Sequence, residues 1–345
     1  MRAAVLYGAE ELRVEQIPVP VPEAGGFLLK IEAALTDGTD LKVFRRGYHA
    51  KMLTPPCVFG HEMAGIVAAA GSNTPYKVGE RVVVANSAPC GVCAFCVRGQ
   101  ENLCGDLHFL NGAYAEYINV PARFAEKNTH RIPAHVSFES AAMTEPLACV
   151  AHGLGETPVL KGDRVGVIGL GPIGLFFISI LKARGCEVFA AGRQAARLSA
   201  AKSLGADHVL EVPKGVPLDQ VCSPWPKLDL VIEATGQPEI WAQAVALVRR
   251  GGTVNWFGGP PAGSTVTLET QRVHYDQITL KSPFHHRPAC VKEALDWIST
   301  GIVKPEQFLS GSVDLAGLPA LFKSMLSGNQ VVKTVVYPGS AKTSA

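Results

Sequence analysis

Residues 164–193, RVGVIGLGPIGLFFISILKARGCEVFAAGR, decide the fold of this chain. The apolar run RVGVI is typical of a buried strand and enters a glycine turn, and PIGLFFISILKARG then predicts a helix that ends at Gly185. A second apolar run, EVFAAG, follows about 20 residues after the turn. This strand, helix, strand order is typical of a parallel sheet with covering helices.

The turn holds a Gly-x-Gly-x-x-Gly pattern between the strand and the helix. Glycine lets the backbone approach a pyrophosphate, and the helix N-terminus offers unpaired N–H groups and a positive dipole end. A tight turn without a nucleotide is the alternative, but the strand-turn-helix context favours a dinucleotide. The expected cofactor contacts are Gly169, Gly171, Pro172, Ile173 and Gly174.

The residues at the end of the second strand indicate which dinucleotide binds. An Asp or Glu there would bind the adenosine ribose hydroxyls and repel a 2′-phosphate. This chain has Ala191, Gly192 and Arg193 instead. Glycine leaves room and arginine offers a planar fork suited to phosphate, so NADP is favoured over NAD, with Arg197 as a second cation. The alternative is that Arg193 is an ordinary solvated charge.

The pattern of predicted strands and helices differs on the two sides of this segment. Residues 1–125 are rich in short β-type runs separated by Gly, Pro, Asn and Asp, which predicts a β-barrel-like unit. Strand and helix patterns alternate up to about residue 281, and a last strand, VVKTVVYP, could dock back on the first unit. The predicted domains are 1–150, 151–281 and 282–345.

The composition excludes several classes of protein. Hydrophobic residues make up 47% of the 345 residues, and 32 basic against 30 acidic side chains leave a net charge of +2. This is a core-rich profile, with no basic run interleaved with aromatics for nucleic acid. The sequence shows neither an export signal nor a membrane-spanning run. We expect a cytoplasmic protein without nucleic-acid or membrane partners.

Four of the nine cysteines are crowded into APCGVCAFCVRGQENLC, residues 88–104. The spacing Cys-x2-Cys-x2-Cys-x7-Cys lets four thiolates surround one tetrahedral ion, with each sulfur about 2.3 Å from a zinc. No position is left for water or substrate, so we predict a structural zinc in a lobe over 88–106. Four thiols without an ion and an iron–sulfur cluster are the alternatives. The predicted ligands are Cys90, Cys93, Cys96 and Cys104.

Several motifs occur in a recognisable order: Gly60-His61-Glu62, the cysteine lobe, Glu145-Pro146-Leu147, the glycine turn and Glu233-Ala234-Thr235-Gly236. Together they resemble the zinc-dependent medium-chain alcohol and polyol dehydrogenases over nearly the whole chain. The resemblance implies an α/β protein in which both chain ends form a GroES-like β-barrel catalytic domain around a central Rossmann domain, a doubly wound parallel sheet. It also implies a cofactor contact at Thr235 and a homodimer or homotetramer.

In that family the catalytic zinc usually takes a cysteine from a Cys-Gly-[Ser/Thr]-Asp turn, the histidine of Gly-His-Glu, a glutamate from that motif or from Glu-Pro-Leu, and water. Here the turn reads Asp37-Gly38-Thr39-Asp40, so an aspartate stands at the cysteine position. A carboxylate also binds zinc, but it is a harder ligand, so we expect weaker or more exchangeable metal binding. Loss of the catalytic metal is the alternative. The implied ligands are Asp37, His61, Glu62 and Glu145.

The resemblance also implies roles in the reaction. Thr39 would hydrogen-bond the substrate hydroxyl and pass its proton on, and Asp40 would orient His61. The zinc would acidify the alcohol, which then gives a hydride to the nicotinamide. Glu62 is a further candidate catalytic residue. His49 could end the proton relay, although a solvated histidine is the alternative.

Evidence for the substrate comes from a departure from the family pattern. Polyol dehydrogenases of this group often have Phe-Arg-Tyr where this chain has Phe284-His285-His286, which argues against a sorbitol-like specificity. The two histidines could bind a polar substrate or serve the structure. Tyr48 is the other candidate substrate contact.

The leading hypothesis is an NADP-preferring, zinc-dependent dehydrogenase of a small polyol, sugar or other secondary alcohol. A nucleotide-binding regulatory or structural protein without turnover is a different class on the same fold. A zinc-free reductase of activated double bonds, of enone or quinone type, is the third hypothesis, and the cysteine lobe and Gly-His-Glu argue against it.

Overall fold

A computed structural model describes residues 1–49, 51–328 and 332–339. The chain divides into two compact units, of which unit 1 comprises Met1–Ala148 together with the chain from His286 onward, and unit 2 comprises Cys149–His285. Within the described ranges no helix combines the length and apolar character needed to cross a membrane.

The N-terminal part of unit 1 consists of short strands and short helices. Its strands are β1 (Arg2–Gly8), β2 (Glu11–Gln16), β3 (Phe27–Leu35), β4 (Cys57–Val58), β5 (Met63–Ala70), β6 (Arg81–Val84), β7 (Ser87–Ala88), β8 (His108–Phe109), β9 (Tyr117–Val120) and β10 (Thr129–Arg131). Its helices are α1 (Gly38–Arg46), α2 (Ala94–Val97), α3 (Ala122–Lys127), α4 (Phe138–Ala142) and α5 (Thr144–Glu156), the last of which continues into unit 2.

In unit 2, strands and helices alternate as the sequence predicts. The strands are β11 (Arg164–Ile168), β12 (Glu187–Gly192), β13 (His208–Glu211), β14 (Leu228–Glu233), β15 (Val248–Trp256) and β16 (Thr279–Lys281). The helices are α6 (Pro172–Ala183), α7 (Ala195–Ser203), α8 (Leu218–Val221), α9 (Pro238–Leu247) and α10 (Thr270–Tyr275).

The chain then returns to unit 1. This last part contains α11 (Pro288–Ser299), β17 (Leu309–Asp314), α12 (Leu318–Leu326) and β18 (Lys333–Tyr337). Short 3-10 turns lie at Glu101–Leu103 and Pro305–Gln307.

Unit 1 is built on a seven-stranded sheet that joins the two ends of the chain. The strand order is β10-β6-β5-β3-β18-β17, and β9 also pairs with β3. Strand β18 pairs antiparallel with the end of β3, with Val335 opposite Leu35. Aromatic rings fill the core beside this sheet: the Phe322 ring of α12 lies 5.3 Å from that of Phe44 and 5.6 Å from that of Phe59. This apolar packing holds the returning segment against the N-terminal part.

The segment Asp37–Asp40, predicted as a turn, is the start of helix α1. Asp37 has extended backbone and caps the helix, its carboxylate accepting a hydrogen bond from the Thr39 N–H at 2.7 Å. The helix ends at Gly47, whose φ of 81° gives the left-handed C-cap conformation that glycine adopts without strain. The capping aspartate was therefore a helix-start signal as well as a candidate ligand.

Unit 2 is a parallel sheet with the order β13-β12-β11-β14-β15-β16. Numbered within the unit this is 3-2-1-4-5-6, the doubly wound order in which dinucleotides bind at the carboxyl ends of the central strands. The glycine turn follows β11, and Thr235 follows β14, its neighbour in the sheet. A Cβ on Gly174 would lie 2.0 Å from the carbonyl oxygen of Gly169, so only glycine fits this turn.

Candidate metal centres and cofactor turn

Three predicted ligands of the catalytic metal converge in unit 1. Asp37 comes from the N-cap of α1, His61 from the segment before β5, and Glu145 from the first turn of α5. The Nε2 of His61 lies 3.9 Å from an oxygen of Asp37 and 3.9 Å from an oxygen of Glu145. All three side chains are buried. Two carboxylates therefore face one imidazole nitrogen.

The other nitrogen of His61 faces a supporting carboxylate. Nδ1 lies 2.9 Å from an oxygen of Asp40. The Tyr114 hydroxyl donates to the second Asp40 oxygen and lies 3.0 Å from the carbonyl oxygen of Leu35. A carboxylate on Nδ1 leaves Nε2 available as the metal-binding nitrogen. Asp40 therefore contacts the nitrogen of His61 that faces away from the candidate ligands, and its role in orienting His61 stays a prediction.

Glu62, the other candidate ligand, is held by a buried cation. The Lys333 Nζ, at the start of β18, lies 2.6 and 2.7 Å from the two Glu62 oxygens and donates to the Thr36 carbonyl oxygen at 3.0 Å. It also lies 3.6 Å from an oxygen of Asp37. Although Asp37, His61 and Glu62 each offer a ligand atom within 4.8 Å of the others, both Glu62 oxygens are already engaged by Lys333. Asp37, His61 and Glu145 are the more available set.

The local charges shift the pKa values in this cluster. Burial opposes ionisation of Asp37, but the Lys333 ammonium, His61 and the Thr39 N–H outweigh it and hold the pKa of Asp37 below its usual value. Burial likewise opposes the charge on Lys333, and the carboxylates of Glu62 and Asp37 outweigh it, so the pKa of Lys333 is raised. The cluster therefore contains an ionised Asp37 beside a permanent ammonium.

Two separations in this donor set, those from His61 to Asp37 and to Glu145, are compatible with a zinc ion. Zinc–nitrogen and zinc–oxygen bonds of about 2.1 Å place tetrahedral ligand atoms about 3.4 Å apart. The two 3.9 Å separations around His61 Nε2 are close to this value. One nitrogen and two carboxylate oxygens leave a fourth position open, which is typical of catalytic zinc rather than structural zinc.

Thr39 and His49, the predicted proton-relay residues, lie in the same part of unit 1. Thr39 is half-buried in the first turn of α1. His49 accepts hydrogen bonds at Nδ1 from the N–H groups of Lys51 and Met52, at 3.2 and 3.0 Å. In the neutral ring the proton is then on Nε2. Burial, followed by the charge of His61, lowers the pKa of His49.

The predicted substrate contacts have different surroundings. Tyr48 is exposed, and His285 is half-buried with a positive φ of 60° at the end of unit 2. His286 is buried in unit 1, with its Nε2 3.1 Å from the Asn86 Oδ1 and 3.5 Å from an oxygen of Glu145. His286 thus contacts a candidate metal ligand.

The four cysteines of the lobe point their sulfurs at one another. The Sγ separations are 3.9 Å for Cys90 and Cys96, 3.6 Å for Cys93 and Cys96, and 3.8 Å for Cys93 and Cys104. Zinc–sulfur bonds of about 2.3 Å require about 3.8 Å between tetrahedral sulfurs. Backbone N–H groups also donate to the Cys90 and Cys104 sulfurs. The lobe fits a closed, structural zinc site.

The cofactor turn brings the predicted arginines to one end of the unit 2 sheet. Arg193 is exposed at the end of β12, and Arg197 is half-buried, with a terminal nitrogen 3.9 Å from the position of a Cβ on Gly171. No described residue accepts a hydrogen bond from the Arg197 Nε. The space beside Gly192 is filled by the Leu170 side chain, since a Cβ there would lie 2.8 Å from it. The packing against Leu170 therefore requires glycine at position 192, and the predicted cofactor role of Gly192 stays a prediction.

Sequence reasoning missed three buried residues around the candidate metal ligands. Lys333 and Asn86 belong to no motif, and Tyr114 was read only as part of a β-type run. Lysine and asparagine usually lie on the protein surface, so the sequence alone did not indicate that these two residues are buried. The one available signal was Lys333 inside the apolar run VVKTVVYP, where a charge needs a partner.

Comparisons with known proteins support the family that the motifs indicate. The family model described as alcohol dehydrogenase GroES-like domain matches residues 23–133, and the one described as zinc-binding dehydrogenase matches residues 172–300. Sorbitol dehydrogenase of Bacillus subtilis (strain 168) is 30% identical over 349 residues, which cover 98% of this chain and 97% of the relative.

Two solved structures share the fold over almost their whole length. One is a candidate zinc-binding dehydrogenase from Sinorhizobium meliloti 1021 bound to NADP, with a TM-score of 0.89 and 29% identity over 98% of this chain and 99% of that chain. The other is a short chain alcohol dehydrogenase from E. coli CFT073 complexed with NADH, with a TM-score of 0.88 and 28% identity over 98% and 99%.

These matches confirm the predicted architecture, a GroES-like domain followed by a Rossmann domain with the parallel sheet. From the motif order, the two matched domains and the full-length relative, we conclude that this chain belongs to the zinc-dependent medium-chain dehydrogenase/reductase family.

Proposed function

We propose that this chain is a zinc-dependent oxidoreductase that transfers a hydride between a small secondary alcohol, polyol or sugar and NADP(H). The observation that carries the proposal is that carboxylate oxygens of Asp37 and Glu145 each lie 3.9 Å from the Nε2 of His61. Three protein ligands would leave a fourth zinc position for water or substrate. The sorbitol dehydrogenase relative supports the substrate class. The catalytic zinc would be the second of two, the first being held by the cysteine lobe.

A zinc ion held by these three residues would supply a Lewis acid that acidifies an alcohol hydroxyl, and the nicotinamide would accept the hydride. The protein contributes the placement of the donors. Asp40 fixes the ring of His61, and Lys333 fixes both oxygens of Glu62. These contacts limit the reorganisation that the site needs during the reaction.

The proton of the alcohol needs a route out of the buried site. Thr39 stands two residues after Asp37, and its backbone N–H is already fixed on the Asp37 carboxylate, so its hydroxyl is positioned at the same end of α1. His49 presents a protonated Nε2 when neutral, because Nδ1 is occupied by two N–H groups. Its lowered pKa keeps it neutral near pH 7. Because neither nitrogen of neutral His49 is free to accept a proton, we assign only Thr39 to this relay: its hydroxyl takes the alcohol proton and gives its own to water. His49 would take part only if Nδ1 released its two N–H donors.

The preference for NADP rests on the arginines after β12. No carboxylate follows the strand, and the exposed Arg193 comes directly after β12, the strand whose end contacts the adenosine ribose in dinucleotide-binding folds of this kind. We assign the 2′-phosphate to Arg193 and a supporting role to Arg197, which lies closer to Gly171 and the helix N-terminus. One relative with a solved structure holds NADP and another holds NADH, so the choice belongs to each chain's own residues.

Oligomeric state and location complete the proposal. We propose a homodimer or homotetramer in the cytoplasm, in keeping with the family resemblance. Light scattering of the purified full chain gives the mass in solution, and a monomer would contradict this part.

Metal analysis combined with an alcohol panel tests the main proposal. We expect about two zinc ions per chain and reduction of NADP by polyols or other secondary alcohols, with slower turnover on NAD. One zinc per chain, together with no reduced cofactor for any alcohol at any added divalent metal, would refute the dehydrogenase function.

The cofactor assignment has its own test. Arg193→Ala should raise the KM for NADP at least tenfold while the KM for NAD stays near its original value, because only NADP carries the 2′-phosphate. Arg98→Ala removes another exposed arginine in unit 1 and serves as the control. Equal losses for NADP and NAD would contradict the role of Arg193.

A further inference from the structure

We propose that His286, anchored by Asn86, is a positioning residue that orients Glu145 toward the catalytic metal. The inference rests on the proposed function, because it takes Glu145 as a metal ligand. It gives His286 a role in preparing the metal site in place of direct contact with the substrate.

The geometry around Glu145 divides its two oxygens between two histidines. One oxygen lies 3.5 Å from the Nε2 of His286, and the other lies 3.9 Å from the Nε2 of His61. His286 and Glu145 are both buried, so neither contact is made through bulk solvent. The oxygen that faces His61 is therefore the one aimed at the proposed metal.

Asn86 determines which tautomer of His286 faces Glu145. The Asn86 Oδ1 lies 3.1 Å from the His286 Nε2, and the Asn86 carbonyl oxygen accepts a hydrogen bond from the Leu110 N–H at 2.8 Å. A carboxamide oxygen is an acceptor only, so the histidine nitrogen beside it carries the proton. The same Nε2 lies 3.5 Å from the adjacent Glu145 oxygen, so the proton-bearing nitrogen of His286 faces that carboxylate as well as Asn86.

The two histidines thus have complementary relations to the site. His61 presents Nε2 to the metal position and takes its support from the Asp40 carboxylate at Nδ1. His286 stays outside, with its Nε2 3.5 Å from the Glu145 oxygen that does not face His61. Outer partners of this kind fix a ligand's orientation, and their loss typically weakens metal binding by about 10-fold to 100-fold.

The position of His286 in the chain explains how the support is delivered. Asn86 follows β6, whereas His286 begins the returning segment just before α11. The contact between them closes a separation of 200 residues. The returning segment therefore supplies Lys333 to Glu62 and His286 to Glu145, one basic side chain for each glutamate.

The test measures metal affinity on the full chain with the cysteine lobe kept loaded. Co²⁺ is titrated into the second site against a competing chelator, and its visible absorption spectrum is recorded. His286→Leu should weaken Co²⁺ binding at this site by about 10-fold to 100-fold and alter the spectrum. His286→Gln keeps a side-chain donor and should restore part of the affinity. His130→Leu, which removes a half-buried histidine of β10, is the matched control.

If His286 has a purely structural role, His286→Leu should lower the urea unfolding midpoint of the protein whose second site is metal-free, and the Co²⁺ affinity and spectrum should stay unchanged. That result would overturn the proposal. If His286→Leu does not fold, Asn86→Leu tests the same role, since it removes the hydrogen-bond partner that holds the His286 ring. The Co²⁺ affinity and spectrum of Asn86→Leu should then change in the same direction. A wild-type chain that binds no Co²⁺ outside the lobe would overturn the proposed function itself. Two occupied sites with unchanged affinity in the variants would overturn only the role of His286.

Discussion

At the scale of single residues, the aspartate in the cysteine position serves two purposes. Its carboxylate caps α1 through the Thr39 N–H and also faces His61 and Lys333. A cysteine cannot cap a helix as an aspartate does, since capping favours side-chain oxygens. The substitution therefore keeps one negative charge at the metal position and adds a local contribution to helix stability.

This double role makes asparagine the sharper replacement for testing the ligand. Asp37→Asn keeps a capping oxygen but loses the negative charge, so we expect the second zinc and the alcohol-dependent turnover to be lost while the melting temperature changes little. Asp37→Cys should retain two zinc ions, because thiolate is a softer and tighter ligand. The measurement is zinc per chain with parallel turnover. Full zinc content and activity in Asp37→Asn would exclude Asp37 as a ligand.

Lys333 gives a second prediction at this scale. Its side chain is 0% exposed and bonded to both Glu62 oxygens, so Lys333→Met leaves a buried carboxylate without its cation. Removal of one partner of a buried pair costs about 3–5 kcal/mol of unfolding free energy. The double variant Lys333→Met with Glu62→Gln should recover most of it.

Chemical denaturation of metal-stripped protein measures this cost. Lys30→Met is the matched control, because Lys30 pairs with Glu32 on the surface with 49% of its side chain exposed, and such pairs contribute about 1 kcal/mol or less. Similar losses for Lys333→Met and Lys30→Met would show that the buried pair contributes no more than a surface one.

The sequence predicted the residues that carry motifs and missed those that act through burial. Asp37, His61 and Glu145 could be named because each stands in a short recognisable pattern. Lys333 lies 271 residues from Glu62, and only the pairing of β18 with β3 brings them together. A contact created by tertiary pairing leaves no local trace in a single sequence.

At the scale of elements, helix α1 is the one that orients the site. It provides Asp37 and Thr39 at its N-terminus and ends at Gly47, which packs against the chain after β1. Strand β3, FLLKIEAAL, lies in the stretch predicted to be rich in short strands, whereas the start of α1 was predicted as a turn. A nine-residue helix with glycine in its first turn gives a weak periodic signal, whereas a long apolar strand gives a strong one.

Substitution of Gly47 tests how much the site depends on this helix end. A Cβ there would lie 2.4 Å from the Ala9 nitrogen, so Gly47→Ala adds a backbone clash to the left-handed strain. Gly79 has a similar φ of 91° and nothing within 4 Å of its Cβ position. We expect Gly79→Ala to cost about 1 kcal/mol and Gly47→Ala a further 1–3 kcal/mol or so.

Denaturation midpoints of the two variants give the comparison, and zinc content shows whether the site is affected. Equal costs for Gly47→Ala and Gly79→Ala would mean that the chain after β1 moves aside without penalty. A larger cost for Gly47→Ala with loss of the second zinc would link the seating of α1 to the metal site.

At the scale of the whole molecule, the order of the two units along the chain could be predicted from the strand and helix patterns and from the motifs. Strand and helix patterns alternate from Arg164 onward, and this alternation predicted the parallel sheet. The apolar runs there are too short for helices, and helical patterns lie between them. The seven-stranded sheet of unit 1 could not be ordered from the sequence, since β3 has β5, β9 and β18 as partners. Local patterns specify strands, and tertiary packing selects their neighbours.

The two units and the two proposed metal sites, one rich in carboxylates and one of four thiolates, together predict how the molecule responds to metal removal. A carboxylate-rich site should release zinc to a chelator before a four-thiolate site does. We therefore expect a first step that removes one zinc and all turnover, with faster amide hydrogen exchange around residues 36–40, 60–62 and 333–337. A second step should remove the other zinc and deprotect residues 88–106. Residues 164–192, in the parallel sheet of unit 2, should keep their protection through both steps, because neither metal site draws ligands from them. Hydrogen exchange with mass spectrometry along a chelator titration measures this order, with zinc counted at each point. Release of the lobe zinc first, with turnover intact, would contradict the assignment of the structural and catalytic sites.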